Sequence, residues 1–315
     1  MLIPGAVGGL LAGAATVTAT AGSPATADVV AGAGGAAAGA RAGDGRPVPL
    51  RVMPLGDSIT MGIGSQTTSS YRINLQMRLQ AAGLAADFVG SQRDGSPATA
   101  DLDHEGHSGW TIARIAEQVD TWVAAARPDA VLLQAGTNDM RTDAGSVGAA
   151  VRLSALVDRV RADAPAAEVF VAKITGTRTG NAAPQQRRTD AYNAVITSLL
   201  ARKGPRVHLV DQSSVRGLDI RDGLHPNDFG YLKMAWNWFT AMEKVYNHSG
   251  SRWRALANPY RANKAYLCHL ADADPGPPWV PFYDCRWWVR RTVVSGTRKV
   301  TRWVSTPRSQ AGHER

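Results

Sequence analysis

Leu50-Arg51-Val52-Met53-Pro54-Leu55-Gly56-Asp57-Ser58-Ile59-Thr60 decides how the rest of the chain is read. Leu50 to Leu55 form a short apolar run with strand character. The run stops at a Gly-Asp-Ser turn. Tyr71, Leu75 and Leu79 then recur every four residues, the spacing of a helix with one buried stripe. A strand that feeds a helix through a tight turn is the opening unit of an α/β fold.

The same alternation continues outward. Ala86 to Val89, Ala130 to Gln134, Val169 to Ile174 and Val207 to Val210 read as four further strands. Ala130 to Gln134 is almost continuously apolar, as a parallel strand covered on both faces is. Between the strands lie helical stripes: Ile112, Ile115, Val119 and Trp122; Ala150, Leu153, Val157 and Val160; Tyr192, Val195 and Leu199. A closing helix carries Phe229, Leu232, Trp236, Phe239 and Met242. Five strands alternating with helices predict a three-layer α/β/α sandwich around a five-stranded parallel sheet. Ligands on such sheets sit at the carboxyl ends of the strands, so chemistry is expected in the loops that follow them.

Charge divides the chain. Residues 251–315 hold 12 of the 35 Lys and Arg but only 4 of the 26 acids. They also hold 5 of the 9 tryptophans and both cysteines. Nearly all of the net charge of +9 therefore lies in this extension. The preceding chain is close to neutral and does not read as a nucleic-acid binder. Trp287 to Val294 and Arg298 to Val304, joined through Ser295-Gly296-Thr297, read as a β-hairpin. Cys268 and Cys285 can pair if the chain is exported. The extension's tryptophans either pack on the main domain or stack on sugar rings, and packing is the simpler expectation. Its charge suits contact with an acidic cell surface or polysaccharide.

At the other end, residues 1–40 contain no Lys, Arg, His or Glu. Leu2 to Val17 is apolar, and Ala25-Thr26-Ala27 supplies the small residues of a cleavage site. Residues 1–27 read as a secretory signal that lacks a basic start, with a disordered Ala/Gly-rich leader as the rival reading. Residues 28–47 read as a flexible linker, 48–248 as the α/β domain and 249–315 as the basic, Trp-rich extension. Two cysteines exclude a disulfide-scaffold protein. No apolar run after residue 40 approaches about 18 residues, which excludes a polytopic membrane protein.

Four loops carry residues capable of chemistry. Ser58 follows the first strand directly. A turn into a helix exposes such a hydroxyl and aims backbone N–H groups at an oxyanion, although a serine there also serves as a plain N-cap. His225 lies in Asp222-Gly223-Leu224-His225-Pro226. A carboxylate three residues earlier reaches the imidazole Nδ1–H in a tight loop and fixes its tautomer. The rival is a loop histidine beside a capping acid. Asn138, in Gly136-Thr137-Asn138-Asp139, is either an oxyanion donor or an Asx turn. Gly109, in Gly106-His107-Ser108-Gly109-Trp110, either offers its N–H to a reacting carbonyl or is an ordinary loop glycine beside a packing tryptophan. No Gly-x-Ser-x-Gly is present, so the α/β-hydrolase nucleophile elbow is absent. His104, Glu105 and His107 lack His-Glu-x-x-His spacing, and no metal is expected on them. Arg178, Arg187 and Arg188 read as a solvated loop or helix face.

Taken in order, these blocks resemble the SGNH (GDSL-type) hydrolase superfamily, whose fold is flavodoxin-like. The resemblance covers roughly residues 50–246. It implies Ser58 as nucleophile, Asp222 and His225 as the rest of a triad, and Ser58, Gly109 and Asn138 as the oxyanion hole. The runs His104-Glu105-Gly106-His107-Ser108-Gly109-Trp110, Gly136-Thr137-Asn138-Asp139-Met140 and Asp222-Gly223-Leu224-His225-Pro226-Asn227-Asp228 are similar to those of family-three carbohydrate esterases, which deacetylate xylan. The expectation is a secreted, extracellular, monomeric serine esterase of O-acetylated carbohydrate that uses no cofactor. The alternatives are a lipase or thioesterase for longer acyl chains, and a non-catalytic carbohydrate or cell-wall binding protein.

Overall fold

The computed structural model describes residues 48–96, 101–178, 183–270, 283–295 and 298–306. The expected signal, the linker and Trp279 lie outside the described residues. Strand β1, Leu50–Gly56, is the centre of the sheet. One of its edges pairs in parallel with β5, Ala130–Gln134, from Val52↔Ala130 to Gly56↔Gln134. β6, Glu168–Lys173, and β7, Val207–Asp211, continue the parallel sheet on that side.

The other edge of β1 is shared by two short strands. β2, Ala86–Phe88, pairs with Leu50 to Val52, and β4, Asp103–Gly106, pairs with Leu55 and Gly56. β3, Gln92–Arg93, lies antiparallel to β4. The sheet therefore has seven strands, not the expected five. The reason is hydrogen bonding. A three-residue β2 leaves the upper edge of β1 unpaired, and buried backbone groups need partners. Asp-His-Glu-Gly supplies them without any apolar signature.

Alternation along the strands feeds two cores. Met53, Leu55, Val131, Leu133, Val169 and Val171 face one layer. That layer contains α3 (Ile112–Ala116), α4 (Val119–Ala126), α6 (Ala149–Asp163) and α7 (Ala183–Leu200). Val52, Leu132, Phe170 and Ala172 face α2 (Arg72–Ala81) and α8 (Asp228–Tyr246) on the other side. Two four-residue helices, α1 (Ser58–Met61) and α5 (Asp143–Ser146), sit in the loops after β1 and β5. The stripe expected to run unbroken from Ile112 to Trp122 is split at Glu117 and Gln118. On α7 the buried line is Tyr192, Ile196 and Leu200, while Val195 is 48% exposed. On α8 it is Tyr231, Met234, Ala235, Trp238, Phe239 and Met242.

The extension forms a second, three-stranded antiparallel sheet of β8 (Lys264–Leu270), β9 (Tyr283–Ser295) and β10 (Arg298–Ser305). The expected hairpin is present and longer than expected, with β8 added along its edge. Cys268 and Cys285 are register partners and form a disulfide. Closing a loop of 17 residues stabilises by about 3 kcal/mol in the chain-entropy picture.

Candidate active site

The turn after β1 is built without room to spare. A Cβ on Gly56 would lie 2.3 Å from the Gln134 carbonyl oxygen and 2.5 Å from Thr60 Oγ1, so only glycine fits. Asp57 then caps α1, its Oδ1 accepting from the Ile59 N–H at 2.9 Å. Burial pushes the Asp57 carboxyl up to about 6 against the opposing pull of Ile59 N–H, Thr137 and the charge of His225. Ser58 is the first residue of α1 and is 3% exposed.

The loop after β7 presents the imidazole. Ile220 and Pro226 form an antiparallel bridge, and Arg221 N–H donates to the His225 carbonyl at 2.8 Å. Gly223 takes a φ of +105° inside this closed loop. Asp222 Oδ1 accepts from Leu224 N–H at 3.0 Å and His225 N–H at 2.8 Å. Its Oδ2 faces His225 Nδ1 at 2.7 Å, and His225 Nε2 lies 2.9 Å from Ser58 Oγ. A proton on Nδ1, directed at the carboxylate, leaves Nε2 free to accept from the serine hydroxyl. Desolvation raises the Asp222 carboxyl, but the hydrogen bonds from the His225 ring and backbone overcome it and bring it down to about 2. The structure thus brings Ser58, His225 and Asp222 into one series.

Gly109 and Asn138 lie in the loops after β4 and β5. Trp110 N–H returns to the His107 carbonyl at 3.2 Å, closing a turn whose third residue, Gly109, has a φ of +78°. Open space lies over Gly109 where a Cβ would stand. Asn138 Nδ2 donates to the Trp110 carbonyl at 2.9 Å, so the two loops are joined there. An amide nitrogen carries two hydrogens, and the second remains for a ligand. Asp139 Oδ2 accepts from Ile112 N–H at 3.0 Å, and Arg152 holds Oδ1 at 2.9 Å.

Residues 55–233 match the GDSL-like Lipase/Acylhydrolase family model, more than half of the chain. The chain belongs to this family. It is 29% identical over 224 residues to a multidomain esterase of Ruminococcus flavefaciens, with 62% of this chain and 28% of that protein covered. Against the structure of a Clostridium thermocellum family 3 carbohydrate esterase it shows 35% identity and a TM-score of 0.57, covering 65% of this chain and 100% of the other. A carbohydrate esterase family 3 structure from Talaromyces cellulolyticus gives 28% identity and 0.53, covering 62% and 97%.

Around this GDSL-type turn stand groups that the sequence reading did not assign. Glu105 is 1% exposed and accepts from Ser91 N–H, Ser91 Oγ and His107 Nε2 at 2.7, 2.7 and 2.6 Å. The His107 ring lies 4.4 Å from both Trp110 and Trp122, and the two indoles are themselves 5.6 Å apart. The Arg114 guanidinium lies 4.3 Å over Trp110. This aromatic cluster braces the turn that carries Gly109. His104 Nδ1 accepts from Gly106 N–H at 3.0 Å, and burial holds its imidazole neutral, with a pKa of about 3. Arg72 is buried and donates to the carbonyls of Leu102, Met61, Thr68 and Asp94. It thereby ties the loop after α1 to the segments flanking β4. Arg188 is not a solvated charge: it donates to the carbonyls of Met140 and Arg141 at 2.7 and 2.9 Å and fixes the loop after Asn138.

The extension also reaches this region. Arg221 Nη1 donates to the Gly64 carbonyl at 3.1 Å, and its guanidinium lies 4.1 Å over the Tyr283 ring. A Cβ on Gly64 would stand 2.8 Å from the His225 Cβ. Tyr283, Arg221, Gly64 and His225 are thus in series contact. The aromatic cluster left one clue in the sequence, the His-Glu-Gly-His-Ser-Gly-Trp run. Arg72 and Arg221 left none.

Proposed function

We propose that this chain is a secreted carboxylic ester hydrolase that removes acetyl groups from carbohydrate, with acetylated xylan as the leading substrate. The observation that carries the reading is the unbroken path from Ser58 Oγ through His225 to Asp222, with contacts of 2.9 and 2.7 Å. His225 Nε2 takes the hydroxyl proton as Ser58 Oγ attacks the ester carbonyl. Asp222 holds the imidazolium and its tautomer. Backbone N–H groups of Ser58 and Gly109, with Asn138 Nδ2, receive the oxyanion; one such donor contributes about 3 kcal/mol to the transition state. His225 then protonates the departing sugar hydroxyl. Water, activated by the same imidazole, releases acetate from the acyl-enzyme and restores Ser58. Every proton moves between Ser58, His225, the substrate and the attacking water.

The choice of a carbohydrate ester draws on the family 3 carbohydrate esterases of Clostridium thermocellum and Talaromyces cellulolyticus. Export draws on the Cys268–Cys285 disulfide, which persists in oxidising compartments. The test is a panel of p-nitrophenyl esters beside acetate release from acetylated xylan. Acetyl esters are expected to be turned over best, and Ser58→Ala to reduce turnover roughly 10⁴-fold or more. Preference for an eight-carbon acyl group would replace deacetylation with the lipase or thioesterase reading. Undiminished turnover by Ser58→Ala would end the serine mechanism.

A further inference from the structure

The second sheet lies wholly outside residues 55–233, and its two faces have different fates. In antiparallel strands, register partners share a face. One face turns to α8: Ala265 and Leu267 are buried, and Trp303 meets Phe229 edge-on at 5.8 Å. Arg290 donates to the Tyr260 carbonyl beside it. This face accounts for the packing tryptophans.

The opposite face is covered at its Tyr283 end, where Arg221 lies over the ring, but not from Trp287 onward. Tyr266 and Trp287 are register partners with ring centroids 5.4 Å apart, yet they remain 47% and 45% exposed. Lys264 Nζ stands 4.1 Å over the Trp287 ring. Farther along, Arg291 and Arg302 are directly opposite one another and both exposed. Like charges in that position oppose folding. Among the described residues no carboxylate pairs with Lys264, Arg291 or Arg302. From Trp287 to Arg291 is about 13 Å along the strand. The face therefore offers an aromatic pair followed by an unneutralised cationic pair, on an extension that carries 12 Lys and Arg against 4 acids.

We propose that this face binds an acidic polysaccharide. Sugar rings have apolar C–H faces that suit Trp287 and Tyr266. Guanidinium groups match carboxylates in shape and charge, so Arg291 and Arg302 receive uronate groups a short distance along the polymer. Lys264, on its flexible stem, swings from the ring to the polymer's edge. The surface holds the whole chain on its polymer while the catalytic domain works, and binding is independent of turnover.

The experiment is affinity electrophoresis and calorimetry of the full chain with glucuronoxylan, neutral xylan and a double-stranded DNA oligomer. The native chain is expected to bind glucuronoxylan best, with affinity falling as salt rises. Trp287→Ala is expected to weaken binding to both xylans about tenfold, by loss of the aromatic contact. Arg291→Ser with Arg302→Ser is expected to weaken glucuronoxylan binding alone and to flatten its salt dependence. Turnover of p-nitrophenyl acetate should be unchanged in both variants, because these side chains project from an exposed face, and the thermal midpoint of the arginine variant should rise slightly as the like-charge pair is relieved. No binding by the native chain, variants that bind as the native chain does, or tighter binding to DNA than to glucuronoxylan would each overturn the proposal.

Discussion

Asp57→Asn tests the electrostatics of the turn that carries Ser58. Asp57 is fully buried, and its Oδ1 is taken by Ile59 N–H. Burial leads the causes that lift its carboxyl from 3.8 to about 6. Between those two values the native state binds more protons than the unfolded chain, so stability falls as pH rises through that window. Above pH 6 the deficit is complete, at about 3 kcal/mol; below 3.8 it vanishes. Asparagine keeps the Oδ1 acceptor for Ile59 and removes the charge. The variant is therefore expected to be more stable than the native chain at pH 7.5, by at most about 3 kcal/mol. At roughly 2–4 °C per kcal/mol for a domain of this size, the melting point should rise by several degrees. Calorimetric melts of both chains at pH 7.5 and pH 3.5 provide the assay. Comparing the two at each pH cancels the titration of other groups, His104 included. An unchanged melting point at pH 7.5, or an equal gain at both pH values, would refute the reasoning.

Asp222→Asn should lower kcat by roughly 10⁴-fold, because an amide donor opposite Nδ1 selects the wrong imidazole tautomer; stopped assays on p-nitrophenyl acetate read this. The same carboxyl, held at about 2, contributes about 2 kcal/mol above pH 3.8, lost as pH falls to 2, and acid melts of native and variant chains should converge there. Arg72→Met leaves four carbonyl oxygens without their charged donor and should cost about 3–5 kcal/mol, measured by urea unfolding. Tyr283→Ala removes the ring over Arg221 and should lower kcat/KM about tenfold through kcat, while Tyr283→Phe restores it.

The parts of this molecule that follow from local pattern were legible in the sequence. Continuous apolar runs such as Ala130 to Gln134 marked strands buried on both faces, and the Asp222 to His225 spacing placed carboxylate and imidazole in one loop. Features that rest on long-range partners were hidden. β4 reads as a polar loop because Glu105 and His104 are buried only by virtue of Ser91, His107 and Gly106. The helix stripe on α7 was displaced toward Val195, since a period of 3.6 residues lets two neighbouring lines fit a short apolar pattern. Arg72 sits where a surface charge would be expected, and only the converging carbonyls explain it. The outward turn of Trp287 and the inward turn of Trp303 depend on strand register, which composition does not encode.

Asp222 and His225 share one closed loop, pinned where Ile220 meets Pro226, while Ser58 follows another strand. Motion of that loop carries imidazole and carboxylate together. It stretches one gap, from Nε2 to the hydroxyl, and leaves the proton on Nδ1 undisturbed. Under the proposed mechanism, thermal breathing would then dim turnover gradually, as a throttle does, while imidazole and carboxylate stay paired.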